Sequence, residues 1–199
     1  MNQNASSRRE FVQTSAAAVG AGLSSQLLLP GTAKADPITG KIKIGLIGCG
    51  GRGTGATVQA MKADSRVELW ALADVFSEQI EKAHGVVKAE YEKDPQRVRV
   101  DDSRKFVGLD AHQKILESGI DLVLIATPGG FRPYHLTAAV AAGKHIFCEK
   151  PMAVDPHGIR LVIAAVAEAK RKQLAIRAGF NMRFQPAYRE AIRRIREGE

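Results

Sequence analysis

A chain of 199 residues, 45% hydrophobic and 25% charged, has room for one domain with a further segment at either end. That composition excludes collagen-like, low-complexity and intrinsically disordered classes. The formal charge is +8, with much of the excess near the C-terminal end, in Lys170, Arg171, Lys172, Arg177, Arg183, Arg189, Arg193, Arg194 and Arg196. With no interleaved aromatics and no reader motif, such a run reads as a solvated helix face, and no nucleic-acid partner is expected.

In chain order, residues 1–35 have the features of an export leader. Ser7-Arg8-Arg9-Glu10-Phe11 fits the twin-arginine pattern S-R-R-x-F. A mild apolar stretch runs from Val12 to Leu29, and Ala33-Lys34-Ala35 is an A-x-A cleavage signal. The expectation is a twin-arginine leader, with the export machinery as partner and a periplasmic destination. Glycines and polar residues interrupt the apolar stretch, so no stable membrane span is expected. Residues 36–40 form a linker.

Lys41 to Gly53, KIKIGLIGCGGRG, organises the rest of the chain. Ile42, Ile44, Leu46 and Ile47 make the short apolar run of a buried parallel strand. Gly48, Gly50 and Gly53 then fall at G-x-G-x-x-G spacing: one glycine for a tight turn, one for backbone close to a pyrophosphate, one for helix-to-strand packing. A helix is expected over Thr54 to Ala63, then a strand over Arg66 to Asp74. Asp74 lies beyond Gly53 at the interval where an acid accepts hydrogen bonds from an adenosine ribose. An anion there would repel a 2′-phosphate, so NAD is expected over NADP. Arg52 could reach phosphate or lie in solvent.

Phe76 to Tyr91 reads as a helix, with Ile80, Ala83, Val87 and Ala89 apolar and charges between them. Glu92 to Asp102 reads as an exposed connection with a short strand at Val98 to Val100, and another strand is expected at Lys105 to Gly108. Asp110 and Gln113 suggest a capping box, with Ile115 and Leu116 buried and Gly119 ending the helix. Leu122 to Ala126 is a buried strand that leads into the turn Thr127-Pro128-Gly129-Gly130. Leu136, Ala139 and Val140 would face the sheet from the next helix. Lys144 to Pro151 is a strand that delivers Glu149 and Lys150 to the same edge. Asp155 caps a helix with Pro156 at its first position, and Ile159, Val162, Ile163 and Val166 carry its apolar face. A sixth strand at Leu174 to Ala178 and a basic helix from Pro186 to Arg196 complete the pattern. Alternating strands and helices argue for an α/β doubly wound parallel sheet. The two cysteines, Cys49 and Cys148, are too few for a disulfide framework and lack metal-ligand spacing; free thiols and no metal site are expected.

Taken together, GLIGCGGRG, Asp74, Ala126-Thr127-Pro128, GKHIFCEKP and GFNMRFQPAY resemble the Gfo/Idh/MocA oxidoreductase family from about Lys41 onward. The twin-arginine leader is similar to that of its exported branch, which includes glucose–fructose oxidoreductase. The resemblance implies a Rossmann dinucleotide-binding domain over residues 41–180, with 181–199 starting a second α/β substrate domain that the chain does not continue. It implies that Gly48, Gly50 and Gly53 hold the pyrophosphate and Asp74 the ribose. Thr127, Pro128 and His135 would lie along the dinucleotide, with Glu149 and Lys150 at the nicotinamide end. Lys150 would be the catalytic residue, and partial burial would lower its pKa. Asn181 and Arg183 would border a sugar or cyclitol-like substrate, in an enzyme that forms a homo-oligomer when full length. Two other activities share this pattern: a redox-neutral NAD-dependent glycoside hydrolase or lyase, and a non-catalytic NAD-binding module.

Overall fold

The computed structural model describes residues 40–198. The expected leader, the cleavage signal and almost all of the linker lie outside the described residues. Parallel strands β1 (Ile42–Ile47), β2 (Val67–Asp74), β3 (Lys105–Val107), β4 (Leu122–Ile125), β5 (His145–Cys148) and β6 (Ile176–Ala178) form one sheet. Their order is β3-β2-β1-β4-β5-β6. The chain therefore moves outward from β1 in one direction, then returns and moves outward in the other. The switch lies between β1 and β4, where open α/β sheets bind ligands at the carboxyl ends of their strands.

Helices cover both faces, as the strand pattern requires. Ile44 and Leu46 of β1, with Leu69 and Leu72 of β2, pack against Met61 of α1 (Gly51–Ala63) and Ile80, Ala83 and Val87 of α2 (Ser77–Glu90). Ile47 of β1 and Ala71 and Ala73 of β2 point the other way. They meet Ile115 of α3 (Ala111–Leu116), Leu136 and Ala139 of α4 (Arg132–Ala141) and Ala165 of α5 (Pro156–Arg171). Ala89, apolar in the same helix, is exposed at the end of α2. Short α6 (Asn181–Phe184) and the basic α7 (Pro186–Glu197) come after β6.

The connection from Glu92 to Asp102 is largely exposed, as its polar sequence suggests, but it buries Arg97 and Val100. A 3-10 turn at Pro95–Arg97 inserts Arg97, which is only 8% exposed. Its guanidinium donates to the carbonyls of Met61, Asp64 (2.9 Å) and Val67 (2.9 Å) and stacks on Tyr91. It thus satisfies the Met61 carbonyl in the last turn of α1, of the kind a helix terminus leaves without a partner, and ties that turn to the start of β2 at Val67. The short strand expected at Val98 to Val100 reduces to a single bridge between Val98 and Leu69. Trp70 of β2 lies nearby, flanked by the cations of Lys43 and Arg104, and its indole donates to the Ser118 carbonyl at 2.7 Å.

Two expectations about helices need correction. Asp110 makes no capping bond with its side chain; its carboxylate pairs with Lys114 at 2.8 Å, leaving only backbone contacts to start α3. Asp155 does cap α5, accepting from the Gly158 amide at 2.6 Å, but the buried face of α5 is not the expected one. Gly158, Ala165 and Ala169 turn inward, while Ile159, Ile163 and Val166 are exposed and Val162 is half-buried. The cause is close approach: a Cβ at Gly158 would lie 2.9 Å from Ala153 and 3.0 Å from Pro133, so only small side chains fit on that face.

Candidate functional site at the carboxyl edge of the sheet

β1 runs into the glycine turn, and each glycine there meets a different constraint. Gly48 has φ of +94°, and a Cβ on it would come within 2.8 Å of the Thr127 amide nitrogen. A Cβ on Gly53 would lie 2.0 Å from the Gly48 carbonyl oxygen, so α1 can pack this close to β1 only with glycine there. Gly50 and Gly51 face open space, with nothing within 4 Å of an added Cβ. The turn therefore presents bare backbone on its outer side.

Asp74, at the end of β2, braces this turn. One carboxylate oxygen accepts from the Cys49 amide at 2.7 Å and the other from the Phe76 amide at 3.1 Å. Those two bonds use part of the carboxylate's accepting capacity and leave lone pairs for a ligand. The Cys49 thiol donates to the Ala73 carbonyl, and burial, with Asp74 beside it, pushes its pKa well up. Burial likewise raises Cys148, to about 11. Both thiols are free and buried.

A cleft of about 880 Å³ opens over this edge, lined by Gly48, Gly50, Asp74, Thr127, Pro128 and His135, among others. The Thr127 hydroxyl and His135 Nδ1 lie 3.1 Å apart. The His135 ring stacks between His112, centroids 4.5 Å apart, and Phe131. Burial first, and then the neighbouring His112, lower the His135 pKa to about 4, so the ring is neutral at pH 7. His112 Nδ1 sits 2.9 Å from the Leu109 carbonyl, which can only accept, so that nitrogen carries the proton.

Beyond the cleft's far wall, the remaining expected residues separate. Glu149 is 3% exposed and pairs with the Arg52 guanidinium. Lys150 comes next across the sheet edge, is joined to Pro151 by a cis peptide, and is exposed. The partial burial expected of Lys150 is absent, although Glu149 beside it is buried. Asn181 and Arg183 are also exposed, on α6, where Arg183 lies over Phe180. Gly53, Glu149, Lys150, Asn181 and Arg183 do not line the cleft; the other expected residues do. Arg132, which the sequence does not single out, lines the cleft while 6% exposed, donates to the Pro151 carbonyl, and keeps Nε unpartnered. A buried arginine has no sequence signature; only the fold shows which carbonyls it meets. Among the described residues no group of three or more His, Cys, Asp or Glu side chains could hold a metal ion.

Comparison with known proteins matches residues 42–177 to the GFO_IDH_MocA family model, an oxidoreductase family with an NAD-binding Rossmann fold. This chain belongs to that family. It is 31% identical over 160 residues to inositol 2-dehydrogenase 4 of Saccharopolyspora erythraea, covering 79% of this chain and 42% of that protein. It is 32% identical over 147 residues to inositol 2-dehydrogenase of Paracoccus denitrificans, covering 74% and 39%. Among solved structures, scyllo-inositol dehydrogenase from Lactobacillus casei with bound NAD(H) and scyllo-inositol aligns with a TM-score of 0.61 and 26% identity. That alignment covers 79% of this chain and 42% of that one. The chain of this family member thus spans about two fifths of the length of the relatives it matches. Residues 42–177 are thus an NAD-binding Rossmann domain of this family.

Proposed function

We propose that this domain is the NAD-binding half of an oxidoreductase that interconverts a hydroxyl and a ketone on a cyclitol or a related sugar. The observation that carries the proposal is the meeting, in one cleft, of a bare-backbone glycine turn and the Asp74 carboxylate. A dinucleotide fits that donor set: amide groups and a helix start for the diphosphate, an anion for ribose hydroxyls, and an apolar cleft for the rings.

Gly48 and Gly50 would present backbone to the diphosphate, with Gly53 keeping α1 close. Asp74 would accept from both adenosine ribose hydroxyls while still bracing the turn. Its charge disfavours a 2′-phosphate, so NAD is the cofactor and NADP the weaker ligand. Thr127, Pro128 and neutral His135 would lie along the dinucleotide. Glu149 belongs to the same edge through its bond to Arg52. When bound, nicotinamide supplies a hydride acceptor and donor. Lys150 would do the proton work: as the neutral amine its Nζ would accept the substrate hydroxyl's hydrogen bond, take that proton to become the ammonium as the carbonyl forms, and release it to solvent. Asn181 and Arg183 would border the substrate. Similarity to inositol dehydrogenases favours a cyclitol and a net redox reaction over the redox-neutral and non-catalytic alternatives.

The test offers scyllo- and myo-inositol with NAD to the protein and its Lys150→Met variant, monitoring net reduced dinucleotide. Activity in the parent, and loss of about 10²-fold or more in kcat with retained NAD affinity in the variant, supports the reading. Equal kcat in both removes Lys150 from the chemistry. Asp74→Ser should narrow the ratio of the NAD and NADP dissociation constants, and tighter NADP binding by the parent would overturn the cofactor assignment.

The leader supports a second element of the proposal, export. Ser7 to Phe11 and the A-x-A signal point to the twin-arginine route and a periplasmic protein, carried out already folded and loaded with NAD. Replacing Arg8 and Arg9 by lysine should keep the protein in the cytoplasmic fraction. Unchanged periplasmic recovery of that variant would refute it.

A further inference from the structure

Glu149 is the most costly side chain at this edge unless it is paired, being a carboxylate that is 3% exposed. Its backbone amide donates to the Ile125 carbonyl at 2.9 Å, which ties it to the end of β4. On one side it meets the bare backbone of Gly179, where an added Cβ would lie 2.9 Å from both carboxylate oxygens. Among the described residues its one cationic partner is Arg52, whose Nη2 donates to Oε1. Arg52 is the second residue of α1 and stands on the turn whose outer surface, at Gly50 and Gly51, is open. Its side chain is 47% exposed, while that of Glu149 is 4% exposed. One end of the guanidinium is thus held by a fixed, buried anion, while nearly half of the side chain stays exposed beside the glycine turn, next to the cleft rather than among its lining residues.

We infer that Arg52 is a ligand of the cofactor's diphosphate and that Glu149 is the positioning residue that aims it. The inference rests on the dinucleotide reading above. A guanidinium carries five N–H donors in a planar fork, enough to serve the Glu149 carboxylate and a phosphate oxygen together. Freed from Glu149, the same side chain would sample many rotamers, and ordering it on binding would cost affinity. The buried acid makes that ordering a property of the fold. It also gives the glutamate before Lys150 a task that leaves Lys150 itself at the surface: Glu149 turns inward to the diphosphate cradle while its neighbour turns outward.

A ladder of ligands tests this on the whole chain: adenosine, AMP and ADP by NMR titration, and NAD by calorimetry. Arg52→Gln should weaken ADP and NAD by about tenfold or more, the range of one charge-assisted hydrogen bond, and leave adenosine unchanged. Arg52→Lys should restore part of the loss, since a lysine keeps the charge but not the fork. Glu149→Gln, isosteric and uncharged, should lower the ADP-to-adenosine affinity ratio several-fold without altering adenosine. The salt dependence of ADP binding should flatten in Arg52→Gln. Glu149→Gln acting only on thermal stability, with the ligand ratio unchanged, would overturn the positioning role. Tighter ADP binding by Glu149→Gln would show that the acid competes for Arg52, and would overturn it as well. An unchanged ADP-to-adenosine ratio in Arg52→Gln would overturn the ligand role. If the parent binds NAD but neither variant differs from it, the inference fails and the dinucleotide reading stands. If the parent binds none of the four ligands, both fail.

Discussion

At the scale of single residues, His135 makes an acid-sensitive point in the cleft. Its ring is half-buried between His112 and Phe131, with the Thr127 hydroxyl at Nδ1, and its pKa falls from 6.5 to about 4. Proton counting gives the direction of the pH effect. Between those two values the unfolded chain takes up a proton that the folded one refuses, so stability is full above pH 6.5 and declines as the pH falls toward 4. A His135→Gln variant lacks this titration. Its melting temperature should fall less than that of the parent between pH 7 and pH 5. Equal falls would show that the ring is protonated in the fold. The neighbouring His112 adds to the depression, because two stacked imidazoles resist sharing positive charge. Neither ring can be assigned this environment from sequence: the histidine eight residues after Thr127 is visible there, but the one that stacks on it comes from α3, at the end of a different β–α unit.

At the scale of elements, the glycine turn separates packing from binding. Gly53→Ala forces a Cβ against the Gly48 carbonyl and should lower stability by about 3 kcal/mol or more, seen as a reduced denaturation midpoint. Gly50→Ala meets nothing and has φ of −65°, so its midpoint should stay near that of the parent while NAD binding weakens. Reversal of those two outcomes would contradict the assigned roles. Arg97 makes a similar contrast with its own sequence context. Arg97→Met leaves the carbonyls of Met61 and Val67 without their side-chain donor, and Asp64 with only the Val67 amide, and should cost about 2–4 kcal/mol in a denaturant titration. A loss within about 0.5 kcal/mol, as for an ordinary surface residue, would show that water replaces it. The strands and their order of appearance are legible in the sequence because buried parallel strands read as apolar runs and glycines punctuate them. Arg97 is not, because polarity in EKDPQRVRVDD says only that the segment prefers water, not that one guanidinium finds carbonyls to bind. The inward face of α5 is hidden for a related reason. Ile159, Val162, Ile163 and Val166 have the period of a buried stripe, but period alone does not tell a face that packs closely, where Gly158 and Ala165 fit, from one that a larger partner could cover.

At the scale of the molecule, the described domain leaves apolar surface uncovered. Ile159, Ile163 and Val166 on α5 are exposed, as are Tyr188, Ile192 and Ile195 on α7, a helix with no buried residue. Exposed apolar helix faces of this kind promote association. The 199-residue chain should bind a hydrophobic dye and show concentration-dependent sedimentation, and Ile163→Asp should reduce both; a monomer indifferent to dye would contradict this. No helix among the described residues is long and apolar enough to cross a membrane. The single tryptophan of the sequence, Trp70, gives the fold its own optical probe. It sits on β2 four residues before Asp74, or about 13 Å along the strand, with its indole fixed to Ser118 and enclosed by Lys43 and Arg104. Its emission therefore reports one environment, undiluted by other indoles. It should change as β2 parts from the Ser118 turn during unfolding. A reduced dinucleotide held at Asp74 would lie close enough to take up that emission by resonance transfer, so one cuvette could track both the opening of the sheet and the arrival of its ligand.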